Sequence, residues 1–370
     1  MNSEKKANFE KKLTDILNYS ALNLALAIGY KKRLFDIMKE AKKALSCSMI
    51  AKIAAVNKRY VQEWLGIMST GKIIDITPGE DGQYLYSLPE EHAAFLARSG
   101  ESSMCVYTQE IPLLTQIAME HVTNDFSNGE GIPFSAYPKF QEFMSDLSNN
   151  KLKDTLIQKF LPGVADGELI SRLKKGIRVC DLGCGQGVAV NLMAEAYPKS
   201  SFVGIDNHEE AIQAARTLCS GYHRENTEFL IEDAALLKDK QTFFQRFDYI
   251  FAFDAIHDQT YPLESLQGVR HMLAPGGLFS MIDIDASSDH TGNIDHPMGP
   301  FLYTVSLMHC MPVGLHGNGA GLGMMWGRER ALNMLREAGF KNIAAIEMDH
   351  DPFNVHYFCK FDVKPDSQNF

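Results

Sequence analysis

Three alternating glycines follow an acid in the segment DLGCGQG, which holds Asp181, Gly183, Gly185 and Gly187. An apolar run precedes the segment and a helix-like stretch follows it, so the pattern predicts a turn from a strand into a helix. Glycine at such a turn permits unusual dihedrals and lets a ligand approach the backbone closely. Because the helix N-terminus also offers free N–H groups, the segment predicts a site for a nucleotide-like ligand.

The spacing of the glycines differs from that of a dinucleotide fingerprint. The third glycine comes one residue early and Val188 fills its place, which weakens a prediction of NAD binding. Asp206 ends the next predicted strand, FVGID, where a carboxylate can accept hydrogen bonds from both hydroxyls of a ribose that lacks a 2′-phosphate. Asp233 follows the third strand, TEFLIED. For both acids the alternative is a capping role at the start of the next helix.

A histidine and an acid stand together at His257 and Asp258, after the predicted strand FDYIFAFDA. The carboxyl end of a central strand is where ligands bind in open α/β sheets. A histidine with its ordinary pKa near 6.5 suits a general base. Two roles stay open for His257, which is either a base or a residue that caps a helix or contacts a cofactor.

The segment GPFLYTVSLMHCMPVGLHGNGAGLGMMWG, within the long interruption from Ala286 to Trp326, predicts a helix and a substrate wall. Its mixture of apolar side chains and polar groups is typical of small-molecule pockets. The alternative is an ordinary core helix, since methionine at helical spacing is usually core. The candidate wall residues are Tyr303, Met308, His309, Cys310, Met311 and Trp326.

Three adjacent pairs of metal-ligand residue types also occur, at His309-Cys310, Asp289-His290 and Asp295-His296. Adjacent ligands rarely converge on one ion, and the chain has no C-x-x-C motif. The sequence therefore predicts no metal site.

The elements that position these residues alternate between strands and helices from residue 177 onward. This alternation predicts an α/β fold with a Rossmann-like, doubly wound parallel sheet. The last two predicted strands, NIAAIEMD and NVHYFCKF, are separated only by a short turn at 351–353. No crossover helix fits there, so the final strand should be antiparallel.

The first hundred residues predict a mainly helical winged helix-turn-helix. Helix KRLFDIMKE precedes SMIAKIAAV and YVQEWLGIM, and the strands IIDIT and YLYSL flank a wing, PGEDGQ. Lys58 and Arg59 could face DNA, but Glu80 and Asp81 at the wing tip would repel phosphate. The alternative is a dimerisation and substrate-capping module.

Together, the motif D-x-G-x-G-x-G, the acids after the second and third strands, and the final antiparallel strand resemble the class I S-adenosylmethionine-dependent methyltransferases. The resemblance covers about residues 177–362. It implies that Asp181 and Gly183 lie at the methionine end of S-adenosylmethionine and that Gly185 and Gly187 shape the turn beneath it. It also implies further cofactor contacts from Asp206 to the ribose, from Asp233 and Ala234 to the adenine, and from Phe253 and Asp254 to the pocket.

The order of the two predicted domains, a winged helix followed by a methyltransferase domain, resembles that of plant-type small-molecule O-methyltransferases. It also resembles a little-characterised group of bacterial and animal two-domain methyltransferases. The resemblance implies His257, with Asp258, as the catalytic pair. It also implies a homodimer in which the apolar helix Tyr19–Gly29 packs against a second subunit. We expect a dimerisation and capping domain over 1–100, a helical linker contributing to the substrate cleft over 101–176, and the methyltransferase domain over 177–370.

Composition narrows the remaining alternatives. The net charge is −10, and residues 1–100 carry 15 Lys and Arg against 11 Asp and Glu, so residues 101–370 carry −14. This charge argues against a nucleic-acid methyltransferase and against nucleic acid as a partner. Seven scattered cysteines and the absence of a signal or membrane-spanning pattern predict a cytoplasmic protein with free thiols and no membrane partner.

The predicted function is methyl transfer from S-adenosylmethionine to a small-molecule acceptor, at oxygen in preference to nitrogen or sulfur. One alternative remains open. It is a winged-helix DNA-binding regulator that uses a methyltransferase-like domain as a ligand sensor.

Overall fold

A computed structural model describes residues 2–100, 104–222 and 225–361. The chain divides into two compact units, residues 1–116 and 117–370. The roles predicted for the segments 1–100, 101–176 and 177–370 stay predictions. Among the described residues, no helix is long and apolar enough to cross a membrane.

Within its described residues, the first unit contains α-helices and a small antiparallel sheet with the strand order β1-β3-β2. The helices are α1 (Ser3–Lys31), α2 (Leu34–Ala41), α3 (Cys47–Ile53), α4 (Lys58–Thr70) and α5 (Glu90–Leu96). The strands are β1 (Leu45–Ser46), β2 (Asp75–Pro78) and β3 (Tyr84–Ser87).

Local sequence explains the helix-turn-helix of this unit. The Asn57 side chain accepts a hydrogen bond from the Arg59 N–H at 2.8 Å, which caps the start of α4. From α4, Trp64 packs edge-on against Phe35 at 5.3 Å between ring centroids and donates its indole N–H to the Ala25 carbonyl. Strands β2 and β3 pair as the predicted wing. The structure confirms the winged-helix order predicted from the sequence.

The second unit contains a seven-stranded sheet in the order β6-β5-β4-β7-β8-β10-β9. The strands are β4 (Arg178–Leu182), β5 (Ser201–Asp206), β6 (Thr227–Ile231), β7 (Phe247–Phe253), β8 (Leu273–Ile284), β9 (Asn342–Glu347) and β10 (Asn354–Lys360). Strands β4 to β8 pair in parallel, whereas β10 pairs antiparallel with both β8 and β9. This confirms the predicted doubly wound sheet with an antiparallel final strand.

Helices lie along the chain before, between and after these strands. They are α6 (Glu110–Asn128), in which the boundary between the units falls, α7 (Pro138–Thr155), α8 (Leu161–Gly163), α9 (Glu168–Lys175), α10 (Val188–Ala196), α11 (Glu209–Tyr222), α12 (Pro262–Met272), α13 (Gly299–Val305), α14 (Met311–Leu315) and α15 (Gly327–Glu337). Two π-helical stretches, Leu156–Phe160 and Ser306–Cys310, join α7 to α8 and α13 to α14. The predicted helix within 300–315 is therefore confirmed, with one wide turn in its middle.

The core of the second unit lies on both sides of the sheet. Tyr249, Phe251 and Phe279 are fully buried on its central strands, as expected for strands covered by helices on both faces. Each of the seven cysteines lies in a described range and is free, which confirms the predicted free thiols.

One buried histidine in this core makes the stability of the fold depend on pH. His356 on β10 is buried, bonds through Nε2 to the Ser280 hydroxyl at 2.9 Å, and lies edge-on to Phe160. Burial, together with the nearby His350, lowers the pKa of His356 to about 4 from its ordinary 6.5.

Because the unfolded chain takes up this proton first, the free energy of unfolding should fall by roughly 3 kcal/mol between pH 7 and pH 4 on account of His356. Denaturant titrations at several pH values should show this slope in the wild type. A His356→Gln variant, which keeps a polar atom near Ser280 and does not titrate there, should lose that part of the slope. Parallel curves for the two proteins would contradict the prediction.

Candidate active site

The glycine turn between β4 and α10 has the strained backbone that its sequence indicates. Gly183, Gly185 and Gly187 all have positive φ, between 50° and 78°. The N–H of Gly183 donates to the Ile205 carbonyl at 2.8 Å, which holds the turn against β5. A Cβ at Gly183 would lie 2.6 Å from the Ala255 side chain, so only glycine fits there.

Asp206, at the end of β5, holds this turn in place. One carboxylate oxygen accepts from the Gly185 N–H at 2.9 Å, and the other accepts from the His208 N–H at 2.9 Å. The His208 N–H precedes α11, which begins at Glu209, so this contact is a local turn and not the helix cap considered from the sequence. Each carboxylate oxygen has a second acceptor position. The side chain can thus support the turn and also accept from a ligand.

Asp181 lies near the end of β4 and is only 4% exposed. Burial, and the nearby negative charge of Asp206, raise the pKa of Asp181 well above its ordinary value of 3.8. Burial also raises the pKa of Asp206, against the opposing effect of its backbone hydrogen bonds. A cation placed beside these two acids would favour their ionised forms, which burial disfavours.

The remaining predicted cofactor residues lie at the same edge of the sheet, because β4 to β7 are parallel and their carboxyl ends meet there. Asp233 caps a short 3₁₀ helix, accepting from the Ala235 N–H at 2.9 Å, and the neighbouring Ala234 is buried. Phe253 ends β7 and packs edge-on against Phe160.

Asp254 adopts a left-handed backbone conformation that is rare outside glycine, with φ of 47°. Its N–H donates to the Ile282 carbonyl at 2.9 Å, which holds this bend. The residue is exposed, yet desolvation by the surrounding protein raises the pKa of its carboxyl to about 6, with Lys151 opposing the shift.

His257 is 3% exposed and lies in the loop after β7. Its Nδ1 lies 2.7 Å from a carboxylate oxygen of Asp283, and its Nε2 lies 3.4 Å from Asp258. A carboxylate only accepts, so Nδ1 carries the proton toward Asp283 and Nε2 is left to face other groups. Burial acts to lower the pKa of His257, but the charges of Asp283 and Asp258 outweigh it and raise this pKa well above 6.5.

Asp283 was not singled out from the sequence. It lies on β8, is fully buried, and also accepts from the Ile284 N–H at 2.8 Å. The available signal was an acid near the carboxyl end of an otherwise apolar strand, LFSMIDID, beside the strand that leads to His257.

The π-helical stretch brings two predicted wall residues beside this histidine. Cys310, with His257 and Asp258, forms a group whose ligand-type atoms all lie within 4.8 Å of one another. His309 is 5% exposed and packs against the rings of Tyr137 and Phe140 at 4.8 and 4.6 Å between centroids.

Burial lowers the pKa of His309 below 6.5, and within the described ranges its Nε2 has no hydrogen-bond partner. The aromatic neighbours of His309 could not be predicted from the local sequence, because they come from a segment about 170 residues earlier in the chain. Tyr137 also donates its hydroxyl to the Met308 carbonyl at 2.9 Å.

The other predicted wall residues do not all join this group. Met308 is buried in the same helix. Tyr303 accepts from the Asn293 side chain and lies beside His290, in a separate apolar cluster. Trp326 is 2% exposed and belongs to the main core of the sheet. Nothing in this placement brings Trp326 to the histidine group.

Two family models match the chain. Residues 173–306 match a methyltransferase domain, and residues 20–98 match an Rv2258c-like winged HTH domain. The chain therefore combines a methyltransferase domain, of the kind that uses S-adenosylmethionine, with an N-terminal winged helix-turn-helix domain. The glycine turn and the His257 loop both fall within the matched methyltransferase domain.

Solved methyltransferase structures share this fold over nearly the whole chain. Human N-acetylserotonin methyltransferase, solved with S-adenosylmethionine, is 16% identical, with a TM-score of 0.65 over 98% of this chain and 100% of that one. Mitomycin 7-O-methyltransferase is 15% identical, with a TM-score of 0.66 over 97% of this chain and 100% of that one. At this identity the likeness establishes the fold.

Among curated proteins, this methyltransferase matches trans-aconitate 2-methyltransferase of Variovorax paradoxus, with 31% identity over 121 residues. The match covers 31% of this chain and 42% of that protein. An uncharacterised Synechocystis protein is 37% identical over 57 residues, which are 15% of this chain and 11% of that protein. The chain therefore spans less than half the length of the curated relatives it matches.

Proposed function

We propose that this methyltransferase moves the methyl group of S-adenosylmethionine to a hydroxyl oxygen of a small molecule, with His257 as the general base. The observation that carries the proposal is the buried His257–Asp283 pair, with its 2.7 Å contact. The pair lies beside the switch in strand order between β4 and β7, where ligands bind in sheets of this kind. The glycine turn follows β4 at the same edge.

S-adenosylmethionine supplies, when bound, a methyl group on a cationic sulfur. Asp181 would favour the positive end of this cofactor, since its buried carboxyl is stabilised in the ionised form by a nearby cation. Asp206 would accept from the ribose with the acceptor positions that its backbone bonds leave open. We assign the adenine end to Asp233 and Ala234, and the pocket between the two ends to Phe253 and Asp254.

His257 would take the proton of the acceptor hydroxyl on Nε2 as the oxygen–methyl bond forms and the carbon–sulfur bond breaks. Asp283 fixes the tautomer that leaves Nε2 free, and its charge stabilises the imidazolium that results. The acceptor must be held in line with the leaving sulfur, which the side chains around His309 would do.

The acceptor would be a small, partly apolar molecule. Tyr137, Phe140 and Met308 offer apolar surface, and His309 offers one ring nitrogen with no partner among the described residues. A few polar groups within an apolar wall are typical of sites for small molecules. The −14 charge of residues 101–370 does not suit a nucleic acid substrate.

The proposal is tested by supplying the purified protein with S-adenosylmethionine labelled in the methyl group and with a metabolite extract. Labelled products should appear and should be absent when His257→Ala replaces the wild type. Mass spectrometry and NMR of the purified product then locate the methyl group on oxygen, nitrogen or sulfur. A product methylated at nitrogen or sulfur would overturn the oxygen assignment.

The pH dependence of the reaction follows from the charges around His257. A base must be deprotonated, and the two acids raise its pKa, so kcat/KM should rise with pH through a midpoint above 6.5. Asp258→Asn removes one of the two charges and should move this rising limb to lower pH. If the limb does not move in that variant, another group controls it.

We also propose a homodimer formed through the N-terminal unit. Helix α1 carries apolar side chains that are about half exposed or more within this unit, at Phe9, Leu13, Ile16, Leu17, Tyr19, Leu24 and Ile28. A second copy would bury this face, at about 1.5–3 kcal/mol for each side chain that becomes fully buried.

The free cysteines favour a reducing compartment, and we propose the cytoplasm.

Sedimentation at micromolar concentration should therefore give a mass near twice 41.4 kDa. A Leu17→Glu and Leu24→Glu double variant should sediment as a monomer, because it places charge in the buried face. Asn18→Glu, which adds the same charge at an exposed position on the opposite side of the helix, is the matched control and should remain a dimer. A wild type that sediments as a monomer would contradict the proposal.

The match of residues 20–98 to a winged HTH domain favours a second candidate, a DNA-binding regulator that senses a ligand through the methyltransferase domain. A gel shift with random DNA, run beside a cofactor titration, separates the two candidates. Retarded DNA whose mobility changes with S-adenosylmethionine would favour the regulator.

A further inference from the structure

A metal-ligand geometry exists at the proposed base that the sequence analysis did not anticipate. His257 and Asp258 are adjacent in the chain, but the third member, Cys310, comes from the π-helical stretch about 50 residues later. The ligand-type atoms of the three side chains lie within 4.8 Å of one another. Sequence spacing cannot reveal such a group, because it forms only when the helix carrying Cys310 packs against the loop after β7.

We propose that His257, Asp258 and Cys310 bind a divalent transition-metal ion, with Zn²⁺ as the best match. One nitrogen, one carboxylate oxygen and one thiolate sulfur are the donor types that zinc takes in proteins. Three protein ligands leave a fourth position for water or a small ligand, as in zinc sites that stay open.

The surroundings of His257 support this assignment. A metal-binding histidine usually gives its other ring N–H to a carboxylate, and Asp283 already occupies that place on Nδ1 at 2.7 Å. The imidazole is therefore oriented with Nε2 toward Asp258, at 3.4 Å. Asp258 and Asp283 place two carboxylates beside the single imidazole of His257. The resulting excess of negative charge favours the binding of a cation.

A second observation points to a ligand in the same place. Asp258 Oδ1 is screened from solvent and lies 3.4 Å from His257 Nε2, but no described residue donates to it with hydrogen-bond geometry. Buried acceptors are rarely left in this state. An ion between Asp258 and Cys310 would satisfy this oxygen. The side chain of Asp258 remains 23% exposed, which gives an ion access to the otherwise buried group.

The consequence for catalysis rests on the proposed function. A metal bound at Nε2 would take the lone pair with which His257 is to accept the acceptor's proton. Zn²⁺ should therefore inhibit methyl transfer, and a chelator should restore it. Metal binding itself does not depend on the reaction, so it can be tested separately.

Cobalt(II) is the probe, because a thiolate ligand gives it a charge-transfer absorption that oxygen and nitrogen ligands do not. The full-length wild type should develop this band at one equivalent, and Zn²⁺ should remove it by displacement. Cys310→Ser should abolish the band, and Asp258→Asn should weaken cobalt binding by at least tenfold. Cys219→Ser changes another thiol outside the group and should leave the band intact.

No band in the wild type, or a band that persists in Cys310→Ser, would overturn the site. Should Cys310→Ser not fold, Asp258→Asn decides the matter, since loss of this ligand must weaken cobalt binding by at least tenfold if the site exists. A cobalt band without inhibition by Zn²⁺ would support the site and count against His257 as the base. Inhibition that is equal in wild type and Cys310→Ser would place the inhibitory ion elsewhere.

Discussion

Replacement of His257 by alanine should lower kcat by about 10²–10⁴-fold and leave the affinity for S-adenosylmethionine nearly unchanged. This range is the usual contribution of a positioned general base. The reason lies in the contacts of the imidazole, since Asp283 holds Nδ1 and leaves Nε2, which lies 3.4 Å from Asp258, as the nitrogen that takes the proton. Single-turnover kinetics and calorimetry with the cofactor measure the two quantities.

Three comparisons identify the cause of the loss. Asp283→Asn keeps the shape of the side chain, but its amide can donate to Nδ1, whereas the carboxylate only accepts. The variant therefore permits the wrong tautomer of His257 and should also lower kcat strongly. His356→Gln changes a buried histidine on β10 that is not part of the site, and should leave kcat close to that of the wild type. Acceptors that are already ionised at the assay pH need no base, so His257→Ala should lose much less activity with them.

Two other outcomes would reject the base assignment. A fall in cofactor affinity with little change in kcat would mean that His257 shapes the cofactor pocket. No effect on either quantity would mean that the acceptor needs no base, as expected for a thiolate or a thioether, and would move the reaction from oxygen to sulfur.

The parts of the fold that the sequence predicted are those fixed by local pattern. The alternation of strands and helices after residue 177 specified the doubly wound sheet, and the short turn at 351–353 left only an antiparallel path for β10. The glycines of the turn were recognisable because their positive φ angles require that residue type. The acids at the carboxyl ends of β4, β5 and β6 could also be predicted, because each comes at the end of a strand pattern in the sequence.

The parts that could not be predicted depend on contacts between distant segments. Asp283 lies within β8 and Asp285 directly follows the end of this strand, and no local rule selects the one that reaches His257. Trp326 has the aromatic side chain expected in a substrate wall, but tertiary packing places it in the core of the sheet. Tyr137 and Phe140 reach His309 through tertiary packing, which no sequence pattern near His309 indicates.

Asp206→Ala should weaken S-adenosylmethionine binding by at least tenfold. Hydrogen bonds to a charged group are worth about 1.5–3 kcal/mol each, and a tenfold change in affinity needs only about 1.4 kcal/mol. The variant should also be less stable without ligand, because Asp206 supports the Gly185 and His208 N–H groups in the free protein. Calorimetry on folded Asp206→Ala that shows unchanged affinity would reject the assignment of Asp206 to the ribose.

Asp181→Asn should weaken cofactor binding as well, but with the opposite effect on stability. Asp181 is buried beside Asp206, and the raised pKa of its carboxyl means that ionising it in the free protein is unfavourable. The amide removes that cost, so the ligand-free variant should unfold at a higher denaturant concentration than the wild type.

In the wild type, a cationic ligand stabilises the ionised carboxylate, so binding should release a proton and should tighten as the pH rises. Calorimetry in buffers of different ionisation enthalpy measures that proton, which should disappear in Asp181→Asn. If both proteins release the same number of protons, Asp181 does not face the charged end of the cofactor.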